Sequence, residues 1–150
     1  MTDTTSMTTR TPWHLWLVGV LSLLWNGFGA YDFVMSVTQG EAYWRASGMN
    51  DAMIAYYNAM PVWMYAPWIA GVWGAVAGSI LLLMRSRYAV HALVLSLLGA
   101  VGSLMYGLMN PMPELPAAMA VMAYIPWVIV VIAAFLAWYA WTMGKKGVLR

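Results

Sequence analysis

Cysteine is absent from this 150-residue chain. That excludes disulfide staples, thiol redox chemistry, a lipidated cysteine, thioether-attached haem and cysteine-ligated metal. Charge is also scarce, at 8 % of residues against about 25 % in an ordinary soluble domain. Hydrophobic residues reach 63 %, where roughly 45–50 % is usual. So few charges could not cover the surface of a soluble fold this size, and a water-soluble globular protein is excluded. The 7 basic and 5 acidic residues leave a net charge of +2. They form no cluster of the kind a phosphate backbone needs, so no nucleic-acid partner is expected. Length allows one domain, and composition makes it an integral membrane protein whose first partner is the lipid bilayer.

A hydrocarbon core about 30 Å thick needs roughly 20 apolar helical residues. Four stretches qualify: residues 13–37, 62–84, 88–109 and 115–143. They predict an all-α, four-helix transmembrane bundle over 13–143, with a polar tail over 1–12 and a basic tail over 144–150. Pro126 falls inside the long fourth span, where a tilt or kink is expected. The first span follows Arg10, as a signal peptide would. However, its best cleavage site, after Ala30, has bulky Phe28 where a small residue is wanted, so a retained helix is expected. With four spans, Arg10, Arg85, Arg87, Lys145, Lys146 and Arg150 share one side, while Arg45 lies opposite with Glu41, Asp51 and Glu114. The positive-inside bias then puts both termini in the cytoplasm.

The connections differ in length. Arg85-Ser86-Arg87 implies a tight hairpin of spans two and three, and Asn110-Pro111-Met112-Pro113-Glu114 a short rigid turn. The first loop is the only extended one. Asn50 or Asp51 can cap a short helix there, with Met53, Tyr56, Tyr57 and Met60 at helical spacing. Such a helix is expected on the outer membrane surface.

Lipid tails are as apolar as leucine, so spans associate by close packing, which small residues permit. Gly19, Ser22, Asn26 and Gly29 share a stripe of the first span; Gly71, Gly74 and Gly78 mark the second; Ser96, Gly99 and Ser103 mark the third. These faces either pack one bundle or join copies of it. Aromatic residues crowd both predicted interfaces, as headgroup anchors do. Trp25 and Trp73 are exceptions that should lie deeper, where their indole N–H groups need partners.

Polar groups inside a membrane are the first functional candidates. Asn26 lies roughly 20 Å beyond Trp13 at about 1.5 Å per residue, and Asp32 roughly 28 Å beyond it. Asn26 suits an interhelical hydrogen bond or a ligand contact. Asp32, at the edge of the core, could pair with Arg45, or take up a proton or cation if neighbouring helices desolvate it. His14 and His91 start two spans on one side, but no carboxylate accompanies them, so no metal or haem is expected. The serines have no histidine–carboxylate partners at recognisable spacing, and the glycine clusters lie in apolar spans. No enzyme, catalytic residue or cofactor is expected.

The runs Trp25-Asn26-Gly27-Phe28-Gly29-Ala30-Tyr31-Asp32, Gly71-Val72-Trp73-Gly74, Ala77-Gly78-Ser79, Arg85-Ser86-Arg87-Tyr88-Ala89 and Ser96-Leu97-Leu98-Gly99, with the closing Gly147-Val148-Leu149-Arg150, resemble a group of small four-span inner-membrane proteins of Gram-negative bacteria. That group has no established function, and its members are sometimes loosely labelled sugar transporters. The resemblance implies a four-span bundle in a bacterial inner membrane and makes the Asn26/Asp32 segment part of the pattern. The expected function is that of a small non-enzymatic membrane protein, self-associating or accessory to a larger complex. The alternative is a small-solute or proton-coupled transporter, acting as an oligomer, with Asn26 and Asp32 lining an outward-facing cavity.

Overall fold

The structure is a computed structural model and describes residues 9–150, so residues 1–8 of the expected polar tail lie outside the described residues. The described chain is all-α. Helix α1 spans Trp13–Gln39, α2 Glu41–Ala46, α3 Asp51–Asn58, α4 Tyr65–Leu83, α5 Tyr88–Met109 and α6 Ile125–Lys145. Short 3-10 stretches, Val62–Met64 and Ala117–Ala123, lead into α4 and α6. Four segments are long and apolar enough to cross a bilayer: Trp13–Gln39, Val62–Leu83, Tyr88–Met109 and Ala117–Lys145. Their antiparallel order gathers the start of α1, the α4–α5 turn and the chain's last residues at one end, called here the terminal end. The loop end carries α2, α3 and the α5–α6 connection, tied together where Tyr56 Oη donates to the Asn110 carbonyl at 2.8 Å.

The small-residue stripes explain which spans touch. Helix α4 packs most extensively on α5, α5 also contacts α6, and α1 contacts α4. A Cβ at Gly74 would lie 3.1 Å from the Ala92 carbonyl and the Ser96 nitrogen, and one at Gly71 would lie 3.5 Å from the Ala100 nitrogen. A methyl at Gly71 would stand at ordinary contact distance from α5, whereas one at Gly74 would press on the α5 backbone, so the small residues of α4 let the two helices pack closely. Ser96 Oγ closes the seam by donating to the Gly71 carbonyl at 2.7 Å. At the terminal end all four spans converge on Leu15, Leu82, Ala89, Leu93, Leu136, Ala140 and Met143, with Val148 and Leu149 of the tail folded into the same cluster. His14 adds a hydrogen bond to the Tyr139 hydroxyl across α1 and α6.

Both helices that finish at the terminal end close with the same hydrogen-bond pattern. At α6, Val148 N–H reaches the Met143 carbonyl and Gly147 N–H the Gly144 carbonyl, with Gly147 at φ +70°. At α4, Ser86 N–H reaches the Leu81 carbonyl and Arg85 N–H the Leu82 carbonyl, but the left-handed residue is Arg85, at φ 60°. Glycine takes that conformation freely, whereas an L side chain costs roughly 1–2 kcal/mol there.

Pro126 lies within the fourth span, Ala117–Lys145, just after its 3-10 stretch gives way to α-helix. It occupies the first turn of α6, where its missing N–H would have no helical partner in any case. The expected short helix of the first loop is α3, capped by the Asn50 side chain, which accepts from Met53 N–H at 2.9 Å. Helix α2 precedes it and follows Gly40, whose φ of +52° turns the chain out of α1.

Candidate functional site

Asn26 is half-buried, facing α4. Its Nδ2 donates to Ser79 Oγ at 2.9 Å and lies 3.4 Å from the Ala75 carbonyl, while Ser79 Oγ donates to that carbonyl at 2.8 Å. Ser79 is fully buried. The asparagine therefore joins α1 to α4 within the apolar layer, where an unpaired amide would be costly. Removing it with Asn26→Ala should cost about 1 kcal/mol, since interhelical bonds in membranes average roughly 0.6 and reach about 1.7. In a double-mutant cycle with Ser79→Ala, measured by unfolding in mixed micelles, the two losses should fall short of additive. Strict additivity would remove the bond from the account.

Asp32 does not pair with Arg45. Its Oδ1 accepts from the Tyr43 hydroxyl at 2.8 Å, while Arg45 binds Glu41 at 2.7 Å and Asp51 at 2.8 Å. The geometry of α2 is the reason. Glu41 lies one turn from Arg45 on the same helix, and Asp51 opens the next helix, whereas Asp32 lies about two turns before α1 ends. The carboxylate raises the Tyr43 phenol above its ordinary value, mainly by accepting its proton in a hydrogen bond. Tyr57 is raised too, chiefly by desolvation and then by the Asp32 charge. Between these groups Trp44 is buried, its Nε1 donating to Ser36 Oγ at 3.1 Å and its ring stacked on Tyr57 with centroids 5.3 Å apart. Asp32 thus belongs to a set of contacts that holds α2 and α3 over the end of α1.

A cleft with a volume of about 580 Å³ lies at the loop end, between α5 and the approach to α6. Ser103 and Gly107 of α5 form one wall, Ala123 and Trp127 the other, with Glu114 and Tyr56 also lining it. It exists because α6 packs along only part of its length. The buried residues of α6 begin at Ala133, and no residue from Ala117 to Ile132 is buried. Neither Asn26 nor Asp32 lines this cleft.

The sequence stripes therefore divide into two sets. Gly71, Gly74, Gly78, Ser96 and Gly99 meet within the α4–α5 seam. Gly19 faces Leu83 of α4, and Ser22 is buried, donating to the Gly19 carbonyl at 3.0 Å. Gly29 has no heavy atom within 4 Å of where a Cβ would stand, and Ser103 opens on the cleft beside Gly107, which is likewise clear. Trp25 and Trp73 lie towards the outside of the bundle, 44 % and 42 % exposed, and Trp73 meets the buried Phe33 ring of α1 edge-on, with centroids 6.3 Å apart. The cleft had no sequence signature, because the apolar run from Leu115 onward looks the same whether or not a neighbour covers it. Compared with protein families, with curated proteins and with solved structures, the chain matches none.

Proposed function

We propose that this chain is a small non-enzymatic protein of a bacterial inner membrane, with both termini cytoplasmic, that works by associating with a further transmembrane helix. That helix comes from a second copy or from a larger complex. One observation carries the reading: the loop-end half of α6 stands away from α5 over a cleft floored by Ser103 and Gly107. Small residues are what membrane helices use to approach one another closely, and among the described residues nothing lies within 4 Å of where a Cβ on Gly107 would stand. The segregation of six basic residues to the terminal end supports the orientation. Transport through Asn26 and Asp32 gains nothing from the geometry, because each is engaged by a protein partner, Ser79 and Tyr43.

The test is the native mass of protein extracted with its own lipids. More than one chain per particle is expected, and Gly107→Leu should weaken the assembly at least about ten-fold, or about 1.4 kcal/mol. That leucine meets no atom within 4 Å at its Cβ, so the isolated bundle should keep its stability. A particle of one 16.6 kDa chain and no other protein would overturn the proposal.

A further inference from the structure

The terminal end carries a second cleft, unrelated to the association site, where the last residues of the chain lie against the α4–α5 turn. Arg150 N–H donates to the Arg85 carbonyl at 2.6 Å, and Arg87 N–H donates to the Arg150 carbonyl at 2.9 Å. Val148 and Leu149 are buried in the terminal core, so Arg150 is anchored from both sides. A cleft of about 230 Å³ opens between Met84, Arg85, Ser86 and Arg150.

Three arginines are thus held around one turn. Among the described residues the ion pairs are those of Arg45, at the opposite end of the molecule, so none of these three guanidinium groups is paired with an acidic side chain there. Arg85 is the most constrained of the three. Its Nε donates to the Val148 carbonyl at 3.3 Å, yet its Nη2 is buried without a hydrogen-bond partner. A buried, unpaired guanidinium nitrogen is costly and calls for an acceptor. The backbone points the same way. Arg85 holds a left-handed position that Gly147 fills in the equivalent turn of α6. A side chain kept where glycine fits better indicates that its guanidinium has a use.

We propose that the cleft between Arg85 and Arg150 binds a phosphate-bearing anion. Guanidinium groups match the oxygens of a phosphate in geometry and charge. The surroundings fit a lipid headgroup, because Met84 and Tyr88 beside the turn are 69 % and 66 % exposed and offer apolar surface to acyl chains. Basic pockets at the ends of membrane helices recognise such headgroups, and a free phosphate would use the same donors.

The variant Arg85→Gly separates binding from folding, since glycine prefers the left-handed turn and only the guanidinium is lost. Full-length protein in neutral detergent would be titrated with phosphatidylglycerol and followed by native mass spectrometry. In parallel, inorganic phosphate would be added at constant ionic strength and followed by thermal shift. Saturable phosphatidylglycerol binding is expected, weakened at least about ten-fold in Arg85→Gly and Arg150→Gln, the scale of a lost charge-assisted contact, and unchanged in Lys146→Gln. The same pattern with inorganic phosphate alone would support the site with a soluble ligand. Binding of neither probe, binding indifferent to Arg85→Gly, or an equal loss in Lys146→Gln would overturn the proposal.

Discussion

Gly99→Val should leave the chain unable to bring α4 and α5 together. A Cβ at Gly99 would lie 2.5 Å from the Pro67 carbonyl oxygen and 2.9 Å from the Gly71 Cα. Both are backbone atoms of α4, so no rotamer change relieves the clash, and the helices must part. Overpacking costs about 1–3 kcal/mol where side chains can yield, and a backbone clash along the most extensive seam should exceed about 3 kcal/mol. Separation would also strip the Ser96–Gly71 hydrogen bond. Gly27→Ala is the control, because nothing lies within 4 Å of its added methyl. It should stabilise α1 by roughly 0.5–1 kcal/mol through helix propensity. The comparison is an unfolding titration in mixed micelles, read by near-ultraviolet circular dichroism. A Gly99→Val protein with the native midpoint would refute the close packing assigned to this seam.

Much of this seam was legible in the sequence because membrane packing has a simple signature. Gly71, Gly74 and Gly78 recur on one helical face, Ser96 and Gly99 on another, and the charged triplet Arg85-Ser86-Arg87 fixes the turn that brings them together. The capped helix α3 was legible for a similar reason, as Asn50 precedes an apolar period of helical spacing. Three features were not. Pro126 reads equally well as a kink or a helix start until the 3-10 stretch before it is seen. The partner of Asp32 depended on where α2 placed Tyr43, and α2 itself, six residues long, leaves no period to read. The arginine cluster was invisible because main-chain hydrogen bonds from Arg150 to a turn more than sixty residues earlier build it, and backbone pairing at that range leaves no mark on residue type. The candidate sites thus arise from long-range folding, whereas the bundle arises from local pattern.

Trp44→Ala should melt the loop-end cap while leaving the four spans assembled. Trp44 is the buried residue of α2, and it ties α2 to α1 through Ser36 and to α3 through Tyr57. This region lies beyond the spans, where water competes, so burial of the indole is stabilising in the ordinary hydrophobic sense. Truncating a buried Trp costs about 3–5 kcal/mol, more than two helices of six and eight residues can lose and stay ordered, since isolated helices this short are marginal. Amide exchange in α3 should therefore accelerate at least about a hundred-fold, at 1.4 kcal/mol per factor of ten, with little change in α4 or α5. Trp44→Phe keeps much of the ring stack and loses the bond to Ser36, and should cost about 1 kcal/mol. The consequence reaches the cleft, because α3 carries Tyr56, whose hydroxyl bonds the Asn110 carbonyl at its mouth. Association should weaken in Trp44→Ala if the partner helix contacts that mouth as well as Ser103 and Gly107. Unchanged exchange in α3 would show that Trp44 does not hold the cap, and simultaneous melting of α4 and α5 would show that cap and bundle are a single cooperative unit.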